Sequence, residues 1–548
     1  MQKADAFSGF LIGIVAGVIL GAIFEISFFS SVFWVVFAIL VVFLALFRPN
    51  IGFLVLAFIA GGVLGLFRVS GDLYGREVFQ GLVGKTVELS GEVKSDPDFE
   101  GSDGKIRLDS LTIDGHDIRG VIYLSGKLNN NIQREDRLTI RGKMSEGFGV
   151  YAGSMYKPEI LEITKPTQRG FLLRFRDGFA ESARENIKSS AKTKRELVGP
   201  DSEEESAEGE SAEYEEPDWQ KLVDQTGERE VSLGLAYLTG LRTGLDEDLN
   251  EVLRLVGLTH LVVASGTHLG ILVGFFKKFF GKISRFSGFY FGLIFILLFG
   301  EMVGWTASIT RAAIVAILGI LGWFLGRKFD SWRVILFAMA ITLLVNPMFV
   351  ADLGWQLSFG SFFGIMILSP RLVRFFYGEK VGGKFLGKKK PGAISEIIFA
   401  TISATLVCGP ILVYYFGSLS LISIFANLMI LPTIPLAMGL MFLTGVSGMV
   451  PFLSSAGLVL GKITKLLLDY HLVVMKFFSK QRAFIMGFPK GDLRVFLLYL
   501  PILMPFLVGE IVRTRKIREQ SRRIRENPEK YLRLTRKTEK NEDKKAKA

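Results

Sequence analysis

The feature that most constrains the fold of this chain is a series of twelve apolar stretches of about 16–27 residues. A helix of about 20 apolar residues spans the hydrocarbon core of a bilayer, whereas apolar segments of about 10–14 residues are more typical of a soluble core. The series therefore predicts a polytopic α-helical membrane protein with about 12 spans. The stretches are 7–24, 28–47, 51–67, 258–280, 286–305, 308–325, 334–350, 354–369, 394–416, 420–446, 453–478 and 495–512.

Cysteine usage and the N-terminus exclude some classes of protein. Cys408 is the only cysteine in the sequence, so neither an intrachain disulfide nor a cysteine-cluster metal site is expected. The first apolar stretch lacks a strongly basic leader and is soon followed by a second one, so we interpret it as a retained helix. The sequence shows no cluster of metal ligands, and we expect neither a metal nor another cofactor.

Positive charge in the loops sets the predicted orientation. Cytoplasmic loops of membrane proteins carry an excess of Lys and Arg, and here such residues occur at Arg48 and in the loops 277–285, 327–333 and 370–392. Placing these loops in the cytoplasm puts both termini there as well and exports residues 70–250.

One loop disagrees with this topology, and the C-terminal tail agrees with it. Loop 479–494 carries four cations yet falls outside, so either 453–478 is not a clean span or those cations have a function. Residues 513–548 hold 15 Lys/Arg against 6 Asp/Glu. Because cations near a membrane surface are attracted to anionic lipids, we interpret this tail as a topology determinant and a contact for membrane lipids.

The exported region has two parts. Residues 84–165 alternate apolar and polar side chains between Gly, Asp and Asn turns, which predicts five or six short strands. Such a series suits a small closed barrel of the oligonucleotide-binding (OB) kind. Residues 170–196 resemble an amphipathic helix, and 201–218 contain no basic residue, which predicts a disordered acidic linker.

These patterns predict five regions. They are N-terminal transmembrane helices (1–69), an exported OB-like β domain (70–169), the amphipathic helix with the acidic linker (170–230), a second transmembrane domain (231–512) and a basic cytoplasmic tail (513–548).

The OB-like region carries no bulk excess of positive charge, with 12 Lys/Arg against 14 Asp/Glu across 84–165. Proteins that bind single strands combine a cationic groove with stacking aromatic rings. Arg107, Arg119, Tyr123 and Arg137 are candidates for such a face. A role as a spacer or docking domain is an equally good interpretation.

Two of the four histidines lie eight residues apart in one apolar stretch, as His260 and His268 around Ser265-Gly266. We interpret Ser265-Gly266 as a helix break, and broken backbone at membrane depth requires neighbouring protein or water. The histidines would then line a polar constriction in a conduit. The alternatives are interfacial histidines on a tilted helix, or a Ser265–His268 nucleophile pair that lacks a nearby carboxylate in sequence.

Further polar groups in the apolar stretches are candidates for the channel lining. Arg311 either faces phosphate, which its planar fork suits, or pairs with Glu301. Gln356 and Ser358 either line the pore or form hydrogen bonds between helices.

The last candidates for the channel lining lie in "ANLMILPTIP". Asn427, Pro432 and Pro435 fall in mid-span, where two prolines three residues apart interrupt a helix. A helix broken at mid-membrane points to a translocation path, and the alternative is a simple kink.

Four segments resemble the ComEC competence family of bacterial inner-membrane DNA-uptake channels. They begin with "GLAYLTGLRTGLDEDLNEVLRLVGLTHLVVASGTHLGI" (234–271) and continue with "TASITRAAIVAILG" (306–319), "NPMFVADLGWQLSFGSFFGIMIL" (346–368) and "YFGSLSLISIFANLMILPTIPLAMGL" (415–440). The segments fall in the family's order. Thr267 stands where the family pattern has Leu, and we expect a member without the C-terminal metallo-β-lactamase-like domain that many members carry.

The resemblance implies a function and a set of partners. The implied function is passage of single-stranded DNA into the cytoplasm during natural transformation, and the implied partners are a cytoplasmic ATP-driven DNA motor, an external DNA receptor and a separate nuclease. We expect no nuclease or ATPase activity on this chain, since it has neither a metal cluster nor a phosphate-binding loop of the Walker type. An intramembrane Ser/His hydrolase and a small-solute transporter are the alternatives.

Overall fold

The computed structural model describes residues 2–23, 49–100, 103–113, 115–128, 131–197, 227–241, 244–262, 266–327, 329–377, 380–381, 384–385, 392–481 and 485–491. The acidic linker, the basic tail and the predicted spans 28–47 and 495–512 lie outside the described residues.

The first two described helices form a parallel pair. Helix α1 is Gln2–Ile23 and helix α2 is Pro49–Gln80. Each carries two glycines four residues apart, Gly13 with Gly17 and Gly61 with Gly65. A Cβ at Gly61 would lie only 2.1 Å from the main-chain oxygen of Phe10. Small residues at this spacing allow the backbones of two membrane helices to approach closely.

A five-stranded barrel follows α2 and confirms the predicted small β-barrel. Its strands are β1 (Thr86–Val93), β3 (Asp103–Ile113), β5 (Ile122–Lys127), β6 (Arg137–Glu146) and β7 (Gly153–Tyr156), with the short strands β2 (Asp98–Glu100) and β4 (His116–Ile118) on β3 and an outer strand β8 (Glu159–Thr164) on β6. The order β1-β3-β5-β7-β6 closes through pairing of β6 with β1, and β5 runs parallel to β7. The OB fold is a Greek-key barrel of this size.

The barrel core contains the inward side chains of these alternating strands. Leu108, Ile122, Leu124, Leu138 and Ile140 are all fully buried. Since successive side chains on a strand point to opposite faces, the residues between them form the outer surface of the barrel.

The remaining described helices build the rest of the protein. They are α3 (Phe171–Leu197), α4 (Glu228–Thr239), α5 (Glu247–Leu255), α6 (Thr259–Val262), α7 (Gly266–Phe280), α8 (Arg285–Val303), α9 (Ala307–Phe324), α10 (Ser331–Val345), α11 (Leu353–Phe363), α12 (Ser369–Tyr377), α13 (Ala393–Phe416), α14 (Ser423–Ile430), α15 (Ile434–Met449) and α16 (Ser454–Ser479). A π-helical turn, Gly364–Leu368, joins α11 to α12. Short strands β9 (Lys380–Val381) and β10 (Lys384–Phe385) pair with each other, as do β11 (Ser418–Ser420) and β12 (Ile485–Gly487).

Six helical segments of the described chain are long and apolar enough to cross a membrane. They are Leu56–Gln80, Arg285–Val303, Ala307–Phe324, Leu353–Tyr377, Ile394–Phe416 and Ser423–Met449, and Phe7–Ile23 and Ser331–Val345 are shorter apolar helices. The chain is therefore a multi-pass membrane protein. Helix α16 does not qualify, because Lys462, Lys465 and Asp469 interrupt its apolar sequence.

Helix α3 occupies the position of the predicted amphipathic helix and connects the barrel to a distant turn. Near its start, Arg176 donates to the main-chain oxygen of Met302, 3.3 Å away, at the end of α8. Two turns later, Ser182 donates to Gly445 (2.8 Å) and Asn186 to Thr444 (3.0 Å), both on α15. Helix rise places Ser182 about 9 Å along the axis from Arg176, well short of the ~30 Å hydrocarbon thickness.

These contacts bear on one part of the predicted topology. The alternation of spans puts Met302 on the outer side and residue 446 on the inner side. One short stretch of α3 contacts both regions, so the C-terminal end of α15 lies near Met302. The crossing by 420–446 stays a prediction, because Ser423–Met449 is long and apolar enough to span a membrane.

Candidate nucleic-acid path

The outer surface of β3, β5 and β7 collects cations and aromatic rings. Cross-strand pairing places Arg107 opposite Tyr123 and Lys105 opposite Ser125, and Ser125 in turn pairs with Tyr156. We call this surface the barrel face. Its members are Lys105, Arg107, Tyr123, Lys127, Phe148, Tyr151 and Tyr156.

Three rings of the barrel face form a cluster. The ring centroid of Tyr123 lies 5.3 Å from that of Phe148 and 5.0 Å from that of Tyr151, and Phe148 and Tyr151 are 5.1 Å apart. The guanidinium carbon of Arg107 lies 5.2 Å from the Tyr151 centroid, within cation–π range. Phe148 is 52% exposed. An exposed ring beside a cation is suited to stacking on a base.

The four predicted DNA-binding residues do not share this face. Arg107 and Tyr123 are adjacent members of it. Arg137 instead donates to Thr112 Oγ1 (3.1 Å), and five residues of β3 separate Thr112 from Arg107, which corresponds to roughly 15 Å. Arg119 lies where the barrel meets α2, since a Cβ at Gly75 would lie 2.4 Å from its main-chain oxygen.

The loop between β6 and β7 attaches the barrel face to the membrane helices. Arg76 on α2 donates to the main-chain oxygen of Gly149. Val150 is buried among apolar side chains that include Met348. A Cβ at Gly149 would lie 3.3 Å from the main-chain oxygen of Ala351, one residue before the N-cap of α11, Asp352. Phe148 and Tyr151 are therefore held near the N-terminal end of α11.

Beneath that attachment lies a second cluster, which we call the inlet cluster and define as Gly266, Arg311 and Ser358. Arg311 Nη1 donates to the main-chain oxygen of Ser358 at 3.1 Å, and a Cβ at Gly266 would lie 2.9 Å from Arg311 Nη2. Ser358 lies five residues into α11, about 8 Å along the helix axis from its start. Three predicted lining residues from three helices therefore meet at one point.

The predicted alternative pairing of Arg311 with Glu301 does not occur. Glu301 Oε1 accepts a hydrogen bond from Trp305 Nε1 at 2.9 Å on the exposed end of α8. Arg311 is buried one turn inside α9, against the rings of Phe359 and Phe362. The bend between Val303 and Ala307 directs the two side chains to different surroundings.

The two histidines of the opening motif have different surroundings. His260 is exposed, and its Nδ1 lies 3.1 Å from the main-chain oxygen of Gly257. His268 is 1% exposed, and the two imidazoles are close enough to interact electrostatically. Helix α6 ends at Val262 and α7 begins at Gly266, while Ser265 lies outside the described residues.

Gln356 lies on α11 near the barrel and holds the turn before this helix, because its Nε2 donates to the main-chain oxygen of Val350 at 2.9 Å. Ser358 Oγ lies 3.2 Å from Ser308 Oγ on α9. The contact of Ser358 with Ser308 joins two helices, which is the alternative role that the sequence left open, whereas the bond of Gln356 reaches only the turn before its own helix.

The two prolines interrupt their helix. A 3₁₀ turn, Leu431–Thr433, separates α14 from α15. Asn427 is buried, and its Oδ1 has no hydrogen-bond partner among the described residues, whereas Pro432 is exposed. Thr433 Oγ1 lies 2.7 Å from His471 Nε2. Sequence reasoning missed His471, which lies in the apolar pattern of α16.

A buried ionic cluster also escaped prediction. Lys465 Nζ on α16 lies 2.9 Å from Glu230 Oε1 on α4 and 3.0 Å from Asp469 Oδ1. Glu230 is fully buried. The sequence marked Glu230 as unusual, because its carboxylate precedes the mostly apolar helix segment 231–238, but nothing in the sequence brings α4 beside α16.

The structure gives no sign of a metal centre in the part of the chain that it describes, where no three His, Cys, Asp or Glu side chains are grouped to hold an ion. The site chemistry of the described residues is that of cations, rings and main-chain groups along a path. Together the fold and these clusters define a multi-pass membrane protein with an attached OB-like barrel.

Comparison with known proteins identifies the family. The model of the competence protein family matches residues 237–511, half of the chain, and the chain belongs to that family. ComE operon protein 3 of Bacillus subtilis (strain 168) is 26% identical over 204 residues, which are 36% of this chain and 24% of the relative. An uncharacterized protein of Aquifex aeolicus (strain VF5) is 26% identical over 209 residues, 36% of this chain and 48% of the relative.

The matched segments span about a quarter and about half of the length of these two curated relatives. No solved structure matches the chain.

Proposed function

We propose that this protein conducts single-stranded DNA inward across the bacterial cytoplasmic membrane during natural transformation. The observation that carries the proposal is the continuity between the barrel face and the inlet cluster. Gly149 contacts the turn at Ala351, and Ser358 follows one and a half turns into the next helix. A strand whose bases stack on Phe148 would have its backbone near Arg311.

The chemistry of the two clusters suits a polymer that must move. Stacking on aromatic rings tolerates any base sequence because every base has a π-face. The barrel face presents four cations at most, Lys105, Arg107, Lys127 and the neighbouring Lys157, rather than a dense basic groove. A conduit must bind its cargo weakly enough to release it.

Inward transport of DNA requires an energy source. Each phosphate that moves against an inside-negative potential costs about 2.3 kcal/mol per 100 mV. The sequence offers no Walker-type phosphate-binding loop. We therefore include a cytoplasmic ATP-driven motor in the proposal, together with an external DNA receptor and a separate nuclease that supplies the single strand.

Deletion of the gene from its host tests the proposal. Labelled duplex DNA is added to competent cells, and DNase-sensitive surface DNA, DNase-resistant internal DNA and transformants are counted separately. We expect surface binding to persist while internal DNA and transformants fall by orders of magnitude. Transformation at the normal frequency in the deletion strain would refute the proposed function.

A matched pair of variants connects the function to the barrel face. Arg107→Gln removes the cation over Tyr151, whereas Arg141→Gln removes an exposed cation on β6 that pairs with Glu88. We expect only Arg107→Gln to reduce uptake. Equal transformation by the two variants, at equal protein levels, would remove the barrel face from the path.

A further inference from the structure

Arg311 is a buried cation with no counter-ion among the residues that the structure describes. It is 8% exposed, and its described contacts are the main-chain oxygen of Ser358 and the ring faces of Phe359 and Phe362, 5.8 and 5.2 Å from the guanidinium carbon. Among the described residues, no carboxylate pairs with it and its Nε has no hydrogen-bond partner. A buried charge without a partner is costly, so ionisable groups in membrane spans usually have a function.

A second positive group lies against Arg311. Helix α7 begins at Gly266, has 15 residues, and directs its first main-chain N–H groups away from the helix body. A helix N-terminus carries a partial positive charge and binds anions. Nη2 of Arg311 approaches this end so closely that a Cβ on Gly266 would lie 2.9 Å from it.

The guanidinium of Arg311 lies where a larger residue at position 266 would place its Cβ. The φ angle of Gly266 is outside the left-handed region, so its backbone conformation does not require glycine. A Cβ there would displace Nη2 of Arg311 and would lie 3.4 Å from the Cβ of Ala312. The fold therefore brings two groups of the same sign together in a buried place, where their repulsion is weakly screened. An anion bound between the guanidinium and the helix N-terminus would be attracted to both and would offset this repulsion.

We infer that Arg311 and the N-terminus of α7 form a binding site for one phosphodiester group. The fork of arginine donates two parallel hydrogen bonds to phosphate oxygens, and the unpartnered Nε with Nη2 supplies such an edge. This inference rests on the proposed function, since the phosphodiester it serves is that of the passing strand. A lipid headgroup carries the same group, and the experiment separates the two sources.

The first test uses the purified full-length protein and dimethyl phosphate, the simplest phosphodiester anion. Thermal unfolding is followed in dimethyl phosphate and in chloride at equal ionic strength, because a ligand of the folded state raises the melting temperature. We expect a rise for wild type, a smaller rise for Arg311→Lys and none for Arg311→Met. Arg254→Met, which removes an exposed arginine of α5, should behave as wild type.

Two results would overturn the inference: no stabilisation of the wild-type protein, or equal stabilisation of wild type and Arg311→Met. If Arg311→Met does not fold, Gly266→Ala decides instead, because its methyl group displaces Nη2 while the charge remains. Unchanged stabilisation in Gly266→Ala then counts against the site. Repeating the melts with a single-stranded oligonucleotide and with phosphatidylglycerol identifies the source of the phosphodiester.

Transformation frequencies test the binding site at Arg311 independently of the proposed channel function. We expect Arg311→Met to lower transformation at least tenfold at normal protein level and surface DNA binding, with Arg311→Lys intermediate. Normal transformation by Arg311→Met in a host where gene deletion abolishes it overturns the strand-binding role and leaves the channel intact. Normal transformation in the deletion strain refutes the proposed channel function. The melting experiments with dimethyl phosphate still test whether Arg311 and α7 bind a phosphodiester.

Discussion

Lys465 Nζ lies 2.9 Å from Glu230 Oε1, and the same ammonium lies 3.0 Å from Asp469 Oδ1. The ammonium group of Lys465 therefore forms ion pairs with two carboxylates. Glu230 is fully buried, and its second oxygen has no partner in the described structure. Burial raises the pKa of Glu230 to about 7.

This pKa predicts that stability falls as pH rises. The folded protein holds a proton on Glu230 up to about pH 7, whereas the unfolded chain releases it near its ordinary pKa of about 4.5. The folded state therefore binds more protons between these values, and the free energy of unfolding decreases through that window by at most about 3 kcal/mol. Glu230→Gln should remove most of this decrease. Melting temperatures between pH 5 and 8 measure it.

The control for this prediction is Glu181→Gln, which changes an exposed carboxylate of α3. It should keep the wild-type pH dependence. A Glu230→Gln protein whose melting temperature still falls with pH as in wild type would show that another group titrates in this window.

The contacts of α3 predict the sidedness of the turn between α15 and α16. Ser182 donates to Gly445, and Arg176 to Met302, so residues near Ser455 should lie on the outer surface. With Cys408→Ser as background, Ser455→Cys should react with an impermeant maleimide added to intact cells. Asp330→Cys, in a basic loop, should react only after permeabilisation. Labelling of Ser455→Cys only in permeabilised cells would support the predicted alternation.

The sequence predicted the barrel well because each strand alternates inside and outside residues over a local stretch. It predicted only Arg107 and Tyr123 of the barrel face, because the charge of 84–165 as a whole is slightly negative. The excess of cations appears only when pairing puts Lys105, Arg107 and Lys127 on the same side as Tyr123. A net charge averages over both faces of every strand, so it cannot reveal such a surface.

The sequence identified the polar residues of the candidate site, but it did not predict that they meet in space. Arg311, Gly266 and Ser358 were each conspicuous in apolar surroundings, yet their meeting depends on how α7, α9 and α11 pack. His471 was missed because it replaces an apolar residue in a helical stripe. Glu301 and Arg311 were adjacent in the predicted spans, but the bend at 304–306 separates their side chains.

The contact between α1 and α2 predicts intolerance of bulk at Gly61. A Cβ there would lie 2.1 Å from the main-chain oxygen of Phe10, so Gly61→Leu must separate the two helices. Overpacking typically costs about 1–3 kcal/mol, and we expect a lower melting temperature and less protein in the membrane. Gly270→Leu is the control, because a Cβ at Gly270 of α7 meets no atom within 4 Å. Equal stability of the two variants would argue against close packing of α1 on α2.

The ring cluster of the barrel face predicts the energetics of strand binding. Phe148 is exposed beside Tyr123 and Tyr151, so Phe148→Ala should remove one stacking surface and little of the barrel core. Loss of one stacked base costs about 1–3 kcal/mol, which corresponds to a Kd for a single-stranded oligonucleotide that is roughly 5- to 150-fold higher. Anisotropy of a labelled 20-mer with purified full-length protein measures it.

The salt dependence of this binding distinguishes stacking from charge. Phe148→Ala should leave the slope of log Kd against log salt unchanged, whereas Arg107→Gln should reduce its magnitude by about 0.7 if Arg107 contacts one phosphate. Phe171→Ala, which removes an exposed ring at the start of α3, should change neither quantity. If Phe171→Ala weakens binding as much as Phe148→Ala, the effect is one of general hydrophobic surface, and the ring cluster is not the stacking site.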